Sequence, residues 1–479
     1  MKKHILNISK SMNRRFAISL LLVLLSSIIT VRGEYIGFHA IVTEPGTLKE
    51  ALGDRWDKID SLVVRGPINA DDFEVIYHGI RFGRIDVLNL EYANLENNEL
   101  PSVAFCKDDG YRAYVRRVIL PDNIERFGKM ALYMVAIDTI NIPSSLQELG
   151  IASFAFSQLG LSTITIPEGV KEIPHSCFMS VEGPEQAILP STIETIDIYG
   201  FSYSTIKDVI IPEAVDSIGM YAFFYSLQES FTVPASCTTI GMHPFSCCFY
   251  LKDITVLSEI TALPEAFVYA SNSLEKVTLP STIKTFGKQA FAICESLTTI
   301  DLPYQLETIG EECFMNCHSL DSIVLPPTLQ HIGKGAFMNC TGMDKIYSLA
   351  QTPPTCEDAV AFIGVPQDIP VYIPIGTMDS YQNANGWKYF ANFIETENFP
   401  NAVIDVVNDP ITVNSRAYWS NSNLVIEAEG VTHRPVEYHV YTVDGRLVDH
   451  GIVTEAGVTL QIPQGAYIVR VANKVHKVM

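Results

Sequence analysis

The most regular feature of the chain is a pattern of apolar positions that repeats every 23 residues. Residues 277–294, 300–317 and 323–340 align position by position and share the template L-x-x-I-x-L-P-x-x-L-x-x-I-G-x-x-A-F-x-x-C. A unit of this length is too short to bury its own apolar side, so successive units must stack. The pattern therefore predicts a repeat solenoid in which like residues of neighbouring units pack on one another.

The same pattern extends towards the N-terminus, beginning with a weaker unit at 119–132, and its spacing stays between 22 and 24 residues. The recurring prolines are Pro121, Pro143, Pro167, Pro190, Pro212, Pro234, Pro280, Pro303 and Pro326, with Leu257 in the place of one. The recurring phenylalanines are Phe154, Phe178, Phe201, Phe223, Phe245, Phe267, Phe291, Phe314 and Phe337. Stacking of these units predicts a continuous column of rings in the core.

The residues before each proline alternate between apolar and polar. In one unit Ile300 and Leu302 are apolar and Asp301 is polar, which predicts a short strand with one face inward. Pro303 should end that strand, because proline donates no hydrogen bond to a neighbouring strand. Stacked units would align these strands in a parallel sheet with a spacing of ~4.8 Å.

The residues after each proline complete the predicted turn of the solenoid. Leu306 and Ile309 are predicted to point into the core, and Gly310 is predicted to permit a sharp turn. The stretch Glu311–Cys317 is long enough for about one helical turn, with Phe314 filling the core. The predicted fold is thus a solenoid of parallel β-strands and short helical turns.

This template resembles the BspA-type leucine-rich repeat, which is found in surface proteins of host-associated anaerobic bacteria. The resemblance covers residues 116–345, about half of the chain. It implies the leucine-rich-repeat fold and a role in adhesion to host or bacterial surfaces. It implies no particular ligand, because the residues that carry the resemblance are core residues.

Residues 34–115 are predicted to cap the N-terminal end of the solenoid, whose last apolar layer would otherwise be open. Thr47 and Glu50 have the spacing of a capping box and predict a short helix. Asn69 can cap a second helix over Asp71–Ile80. The predicted strands of this segment are Ser61–Gly66 and Ile85–Leu90.

Residues 346–400 depart from the template and resemble the terminal segment that closes such arrays. The run Val371–Thr377 continues the strand position of the repeat. Trp387, with Tyr389 and Phe390, can cover the last apolar unit. This segment is therefore predicted to be the C-terminal cap.

Residues 405–479 contain short alternating segments that predict a separate small β-sandwich. The predicted strands are Ile411–Val413, Asn423–Glu427, Val436–Tyr441, Arg446–Val448, Val458–Ile462 and Ala466–Val471. Asp444–Gly445 is typical of a two-residue hairpin turn.

Two stretches of this domain, Tyr441–Val448 and Gly465–Val471, are followed by Lys474 and Lys477. They are similar to the C-terminal sorting domains of type IX secretion. That resemblance implies export across the outer membrane, with the secretion machinery as a partner. A hairpin β-sandwich of another function is the alternative.

Residues 1–33 predict a secretory signal peptide, because basic residues precede the apolar run Phe16–Val31 and a cleavage-like site follows it. A retained membrane anchor is the alternative, although the run is shorter than the ~20 residues that a spanning helix needs. Cleavage would remove six of the 33 basic residues and none of the 54 acidic ones, leaving a formal charge of −27. A chain this acidic is expected to repel nucleic acid and anionic membranes.

Ten cysteines in a secreted chain raise the question of disulfides. Cys248, Cys294, Cys317 and Cys340, however, occupy one fixed place in the repeat, where cysteine can pack as a small apolar residue. Free, buried thiols are the favoured interpretation, and disulfides are the alternative.

Nothing in the sequence predicts an enzyme, a metal site or a cofactor. There is no HExxH motif, no G-x-S-x-G elbow and no glycine-rich phosphate loop. The acidic pairs Asp71–Asp72 and Glu311–Glu312 are interpreted as solvated faces, and Asp108–Gly110 as a turn that lacks the chelating residues of a calcium loop.

Tyrosines flank the recurring phenylalanine in some units. Tyr199 and Tyr221 precede it, and Tyr203, Tyr225 and Tyr269 follow it, where later units carry polar residues. Residues four apart share one face of a helical turn, so these side chains are predicted to form one patch. Tyrosine is enriched at interaction sites, which makes the five residues a candidate ligand-binding site. The alternative is an aromatic ladder that only packs between units.

These observations favour a secreted or cell-surface binding protein that recognises a host or bacterial protein or glycan through the solenoid surface. A secreted hydrolase on a repeat scaffold would need titratable residues that converge in a pocket, and the sequence predicts none. A purely structural spacer would hold another domain away from the surface, and no such domain is predicted.

Overall fold

The computed structural model describes residues 36–107, 110–357 and 359–400, together with 415–420, 423–428, 436–442, 447–453, 457–463, 467–471 and 474–478. The predictions that lie outside these residues are the signal peptide, the turn at Asp108 and Asp109, the strand Ile411–Val413 and the hairpin turn Asp444–Gly445. The fold is a parallel β-solenoid of about 15 turns with few helices, followed by antiparallel sheets. The predicted fold class is therefore confirmed.

The chain divides into two compact units, and the first comprises residues up to 161 together with 181–183. Its main sheet has the strand order β1-β2-β3-β5-β7-β9, and a smaller side sheet has the order β4-β6-β8. The strands are β1 Gly37–Ile41, β2 Ser61–Ile68, β3 Val87–Leu95, β4 Glu99–Leu100, β5 Ala113–Ile119, β6 Arg126–Phe127, β7 Val135–Ile140, β8 Glu148–Leu149 and β9 Gln158–Leu159. The helices are α1 Leu48–Leu52 and α2 Ala70–Arg81, with 3-10 turns at Gly53–Arg55 and Glu96–Asn98.

The second unit continues with strands of two kinds. Main-sheet strands lie before the recurring proline or at the corresponding place in turns that lack it: β10 Thr163–Thr165, β12 Gln186–Ile188, β14 Asp208–Val209, β16 Ser230–Val233, β18 Asp253–Val256, β20 Lys276–Thr278, β23 Ser322–Leu325, β25 Lys345–Ser348, β27 Pro370–Pro374 and β28 Asn392–Thr396. Side-sheet strands follow it: β11 Glu172–Ile173, β13 Thr195–Ile196, β15 Ser217–Ile218, β17 Thr239–Ile240, β19 Ala262–Leu263, β21 Thr285–Phe286, β22 Thr308–Ile309, β24 His331–Ile332 and β26 Thr355–Cys356. All of the pairings among these strands are parallel.

The last strands of the second unit are antiparallel and form two sheets, of order β29-β30-β33 and β32-β31-β34-β35. They are β29 Ser415–Ser420, β30 Asn423–Ala428, β31 Val436–Thr442, β32 Leu447–Val453, β33 Val458–Leu460, β34 Tyr467–Val471 and β35 Lys474–Val478. Apolar residues from both sheets, among them Leu424, Ile426, Val440 and Val469, form one buried cluster. This arrangement agrees with the predicted small β-domain.

The recurring phenylalanines form the predicted core column, and each of them is at most 2% exposed. Neighbouring rings stack almost parallel in most of the second unit, as between Phe178 and Phe201, whose centroids are 5.1 Å apart at an angle of 10°. Phe337 stacks in turn on Phe362, at 5.3 Å and 2°, so the column extends one turn beyond the residues that the template identified. Each ring buries a large apolar area and fixes the distance to the next turn.

The predicted strand Ile300–Leu302 is absent, and this prediction was wrong. Both apolar side chains are buried and Asp301 is exposed, so the alternation is as expected, but the segment belongs to no strand. Main-sheet strands of the repeats span only two to four residues before the proline ends them. With so few hydrogen bonds available, a small displacement is enough to separate one segment from its neighbours.

The helical turn predicted at Glu311–Cys317 was also wrong. The segment consists of tight turns in which two residues four apart, Glu312 and Asn316, have φ values of 54° and 61°. The N–H groups of Glu312, Phe314 and Asn316 donate to the carbonyl oxygens of Lys334, Ala336 and Met338 in the next turn, at 2.9, 2.7 and 2.7 Å. An α-helix would direct these donors along its own axis, so the left-handed residues are what allow the bonds between turns.

Gly310 serves a different purpose from the one predicted. Its φ is not positive, so no left-handed turn requires it. A Cβ atom at this position would instead lie 2.7 Å from the carbonyl carbon of Gly287, the equivalent residue of the preceding turn. Glycine is needed here because the backbones of neighbouring turns approach closely.

The side sheet is interrupted in one turn, where a proline stands at the position that glycine occupies in the turns before and after it. The N–H of Gly241 donates to the carbonyl of Ile218 at 2.8 Å, and that of Gly287 donates to Leu263 at 3.0 Å. Pro264 stands at the equivalent place in the turn between them and has no N–H group to donate. Accordingly β17 and β19 belong to two separate sheets.

The two N-terminal helices share one buried carboxylate, Asp72. Asn69 caps α2 as predicted, and Asp72 completes a capping box by accepting from the N–H of Asn69. The capping box predicted for α1 is absent, because the side chain of Thr47 caps nothing. Asp72 instead accepts from the N–H groups of Gly46 and Leu48 at 2.7 and 2.8 Å, so α1 is capped from a distant part of the sequence.

At the end of the repeats, Trp387 and Phe390 cover the ring of Phe362 at centroid distances of 5.2 and 5.3 Å. Trp387 is fully buried, and its indole N–H donates to the carbonyl of Pro354 at 2.9 Å. Tyr389 was expected to take part but is 43% exposed. The last apolar turn is therefore covered by two of the three predicted residues.

All ten cysteines are free, and nine of them are buried. The thiols of Cys317 and Cys340 donate to the carbonyls of Phe291 and Phe314, each at 3.1 Å. Ser271, at the equivalent place in another turn, donates its hydroxyl to Phe245 at 3.3 Å. The position thus takes a small side chain that can satisfy a buried carbonyl of the preceding turn.

Truncation of one ring in the core column should destabilise the fold strongly. Phe314 is fully buried and stacks on Phe291 and Phe337, both at 5.3 Å. Phe314→Ala should lower the free energy of unfolding by about 3–5 kcal/mol, measured by denaturant titration. Glu311→Ala in the same turn removes no core contact and serves as the control. Equal stability of the two variants would contradict the core assignment.

Candidate functional site

The residues with positive φ form two rows of side chains on the second unit. Row 1 contains the first such residue of each turn, including Tyr199, Tyr221 and His243, with φ values of 55–57°. Row 2 contains the second, including Tyr203 and Tyr225, each with a φ of 58°. The backbone N–H groups at both positions donate to carbonyl groups of the next turn. The side chains take no part in these hydrogen bonds between turns.

Row 1 is a stack of rings. Tyr199 and Tyr221 lie face to face at 5.1 Å and 2°, and Tyr221 stacks on His243 at 4.7 Å and 15°. His175 meets Tyr199 edge-on at 6.0 Å, and Tyr269 meets His243 edge-on at 6.4 Å. The ring faces in row 1 are therefore engaged, and its tyrosines are half-buried.

The run of stacked rings in row 2 is shorter than that in row 1 and more exposed. Tyr203 stacks on Tyr225 at 4.9 Å and 14°, and Tyr203 remains 47% exposed. Phe224 lies between the rows, in edge-on contact with Tyr203, Tyr221 and Tyr225. Phe249 meets Tyr225 edge-on at 5.3 Å and is 43% exposed. Four of the five predicted tyrosines thus come together with two phenylalanines, and we call Tyr199, Tyr203, Tyr221, Phe224, Tyr225 and Phe249 the aromatic patch.

The sequence predicts that these tyrosines lie together, but it attributes their shared face to a helical turn and identifies neither phenylalanine. The shared face comes from paired left-handed residues and not from a helical turn. Phe249 occupies the place that His318 has in a later unit, so a comparison of loop positions between units would have identified it.

Tyr269 does not occupy the row 2 position that the sequence predicted. The left-handed residues of its turn are Ala266 and Ala270, one residue later than the alignment on Phe267 requires. Tyr269 therefore precedes the row 2 position, and its carbonyl accepts the N–H of Cys247. The same offset turns Phe267 edge-on to Phe245, at an angle of 85°. Tyr269 borders the patch through its contact with His243 and does not continue row 2.

Three tyrosine hydroxyls of the patch and the neighbouring His243 imidazole are affected by burial. Burial raises the pKa of the hydroxyls of Tyr203, Tyr221 and Tyr225 above the ordinary value, so they stay protonated. Burial likewise lowers the pKa of His243, against the smaller opposing effect of Glu265, which favours an uncharged imidazole. Among the described residues, the four tyrosine hydroxyls have no hydrogen-bond partner.

Further along the solenoid, the same two rows carry polar side chains. Gln289 donates to Glu312 at 2.6 Å in row 1, and Asn339 donates to Asn316 at 2.9 Å in row 2. The two positions therefore accept aromatic, amide or acidic residues without a change in backbone conformation. The fold therefore does not determine which type of side chain stands at these positions.

A second exposed surface lies on the main sheet of the first unit. Ile41, Arg65 and Tyr92 are in register on β1, β2 and β3, and the Arg65 guanidinium lies 4.1 Å from the centre of the Tyr92 ring. Ile41 is 70% exposed and Tyr92 is 47% exposed. Tyrosine and arginine are enriched in protein interfaces, so this surface is an alternative site of interaction.

The side sheet of the second unit also contains a groove with a cysteine in its lining. A shallow groove of about 570 Å³ lies at the break in the side sheet and is lined by Cys237, Thr239, Glu259 and Thr261. Burial raises the pKa of the Cys237 thiol to about 11, which keeps it protonated and a poor nucleophile. No cluster of three potential metal ligands and no helix able to cross a membrane occurs in the described part of the chain.

Comparison with protein families gives a match to the BspA-type leucine-rich-repeat region. Six copies of the repeat match residues 102–229 and 216–344. No protein with a curated description matches the chain.

Several solved structures are similar to this one. A leucine-rich-repeat protein from Bacteroides ovatus is 24% identical, with a TM-score of 0.47, over 62% of this chain and 80% of its own. A leucine-rich cell surface protein from Faecalibacterium prausnitzii is 20% identical, with a TM-score of 0.33, over 64% and 84%. The pneumococcal vaccine antigen PcpA is 17% identical, with a TM-score of 0.37, over 71% and 80%.

Replacement of the row 2 tyrosines by asparagine should leave the fold almost unchanged. Tyr203→Asn with Tyr225→Asn removes the ring stack of row 2 and its edge-on contacts with Phe224 and Phe249, but asparagine tolerates positive φ better than tyrosine does, which offsets part of that loss. The free energy of unfolding should change by less than about 1 kcal/mol, measured by denaturant titration. Tyr221→Asn is the contrasting variant and should cost more than either row 2 substitution alone, because the Tyr221 ring is stacked between the rings of Tyr199 and His243. A larger loss in the double variant would show that row 2 is mainly structural.

Proposed function

This chain belongs to the BspA-type leucine-rich-repeat family, and we propose that it is a cell-surface binding protein that recognises a host or bacterial macromolecule through the aromatic patch. The observation that supports this most is the exposure of aromatic side chains at positions that the fold leaves free. Elsewhere in the solenoid those positions carry amide and acidic side chains. Exposed aromatic clusters favour association, so their retention points to a partner.

The composition of the patch is that of a binding surface and not of a reaction centre. Tyrosine contributes a large contact area at a small cost in conformational entropy, and its hydroxyl can bond to a partner. The four tyrosine hydroxyls have no partner among the described residues and are therefore available. The family itself is one of repeat scaffolds. Binding of a macromolecule, rather than turnover of a small substrate, fits these features.

Surface location is part of the proposal. The predicted signal peptide at residues 1–33 would direct the chain out of the cytoplasm. The similar protein from Faecalibacterium prausnitzii is described as a cell surface protein, and the pneumococcal one as a vaccine antigen. The formal charge of −27 that cleavage would leave suits an exposed, soluble surface.

We also propose that residues 405–479 are a type IX sorting domain that brings the chain to the secretion machinery. The antiparallel strands β31, β32, β34 and β35 form a compact sheet that supports this assignment. The resemblance of Tyr441–Val448 and Gly465–Val471 to such domains is the other support.

Binding can be tested with residues 34–479 labelled at an added C-terminal tag. We expect saturable binding to epithelial cells or to immobilised extracellular-matrix glycoproteins, reduced at least about tenfold in the Tyr203→Asn, Tyr225→Asn double variant. Arg65→Ser with Tyr92→Ser is the matched control on the first unit and should bind like the parent chain. Loss of binding in the control alone would show that the binding site lies on the main sheet of the first unit and not at the aromatic patch.

Export can be tested by deletion of residues 405–479 in the native host. The truncated chain should accumulate in the periplasm with its solenoid folded, as judged by resistance to limited proteolysis. Normal display of the truncated chain on the cell surface would show that the C-terminal strands have another role.

A further inference from the structure

The strand β1, Gly37–Ile41, lies at the end of its sheet and has one unpaired edge. Among the described strands it pairs only with β2, over five residues and without a bulge. Proteins usually protect such an edge with a charged residue, a proline, a bulge or a covering segment. β1 contains no proline and no lysine, arginine, aspartate or glutamate, and Gly37, His39 and Ile41 are exposed. The edge is therefore open to another strand.

The hydrogen bonds to β2 show which backbone groups face this edge. The carbonyl of Ile36 accepts the N–H of Ser61 at 3.2 Å, and the N–H of Val42 donates to the carbonyl of Arg65 at 2.8 Å. Backbone groups alternate in direction along a strand, so the even-numbered residues of this segment bond to β2 and the odd-numbered residues face away from it. The odd-numbered residues are Gly37, His39 and Ile41. Their N–H and C=O groups have no partner among the described residues.

Gly37 is a residue that the fold of the chain itself does not require. Its φ is not positive, and a Cβ atom at this position would have no atom within 4 Å apart from its own neighbours in the chain. Glycine inside a strand lowers stability, and one reason for its presence is that another backbone approaches closely there. Gly37 therefore leaves open space beside β1 that a second strand can use.

The sequence of β1 is complementary to itself when two copies run antiparallel with His39 at the centre. Gly37 then lies opposite Ile41 of the second copy, and both residues direct their backbone groups to the open edge. Residues in such a pair exchange both of their N–H···O bonds, so this register satisfies every N–H and C=O group of the edge. Phe38 lies opposite Ala40 of the second copy in the same register. Each large apolar side chain thus faces a small residue.

We propose that the open edge of β1 pairs with the same edge of a second copy of this chain, antiparallel and centred on His39. A second copy is favoured over an unrelated strand because the pattern of large and small side chains matches itself. Removal of the predicted signal peptide would leave only residues 34–36 before β1, too few to fold back as a strand and cover the edge. The contact is two-fold and closed, so it gives a dimer and not a filament.

His39→Pro tests the backbone pairing, because it removes the N–H group at the centre of the interface and no hydrogen bond to β2. Proline occurs on edge strands where the N–H group faces away from the sheet, so β1 should form as before. His39→Thr is the matched control, since it changes the same side chain and keeps the N–H group.

Dimerisation is measured by sedimentation of residues 34–479 over a range of concentrations. The parent chain should show a monomer–dimer equilibrium of micromolar affinity, as expected for a small interface. His39→Pro should weaken dimerisation at least about tenfold, because both bonds of the central pair are lost, and His39→Thr should change it less than about twofold. At concentrations where all three chains are monomers, their melting temperatures should agree.

Single cysteine substitutions test the register. The Cα atoms of a hydrogen-bonded antiparallel pair are about 5.5 Å apart, a distance that a disulfide can span, so His39→Cys should form a disulfide-linked dimer under mild oxidation. Ile41→Cys should not, because four residues of strand, about 14 Å, would separate its two copies. An equal mixture of Gly37→Cys and Ile41→Cys chains should form the disulfide. The parent chain, in which nine of the ten cysteines are buried, is the control.

A parent chain that remains a monomer at about 100 µM would overturn the proposal. If His39→Pro then lost binding to cells while His39→Thr kept it, the edge would take a strand of another protein instead. A dimer that persists in His39→Pro would place the contact elsewhere on the chain, and equal loss in His39→Thr would assign the contact to the side chain and not to the backbone. A disulfide in Ile41→Cys alone would contradict the register.

Discussion

This structure depends on the backbone hydrogen bonds between successive turns. The segments that make these bonds belong to neither a helix nor a strand. In each repeat of the second unit, alternate N–H groups around the core phenylalanine point along the solenoid and bond to the next turn; for Tyr199, Phe201 and Tyr203 the distances are 3.1, 2.8 and 2.9 Å. This geometry requires two residues per turn in the left-handed region, which costs roughly 1–2 kcal/mol for each residue other than glycine. The bonds, and the ring column that they align, offset that cost.

This constraint also explains how the chain separates its core from its outer surface. The phenylalanine between two left-handed residues points inward and is fixed by the column. The left-handed residues themselves project outward, and only their backbones are committed to the ladder. Tyrosine at 203 and 225 and asparagine at 316 and 339 therefore share one backbone conformation but present different surfaces. A solenoid of this kind can change the side chains that it exposes at these positions without altering its fold.

Much of the fold could be predicted from the sequence, because it depends on a periodic apolar pattern. The core column, the capping of α2 by Asn69 and most of the main-sheet strands, although not the one expected at Ile300–Leu302, follow from residue type and spacing. The left-handed turns could not be predicted, since nothing in residues such as Tyr199 or Ile293 favours positive φ; the neighbouring turn imposes it. The same holds for the capping of α1 by Asp72, 24 residues away from Leu48. For the candidate site, the sequence predicts that four tyrosines lie together, and in the structure they do. The one-residue offset at Ala266, which moves Tyr269 out of the row 2 position, is visible only in the hydrogen bonds between turns.

Native-state hydrogen exchange of individual amides tests the central claim most directly. The N–H groups of Phe201 and Phe314 lie in segments without regular secondary structure, where amides ordinarily exchange quickly. If the ladder between turns holds the solenoid together, these two amides should be as strongly protected as that of Ile254 in β18 and should exchange only when the repeat array unfolds. Rapid exchange of Phe201 and Phe314, with the strand amide still protected, would show that the turns are independent loops and that the main sheet alone carries the fold.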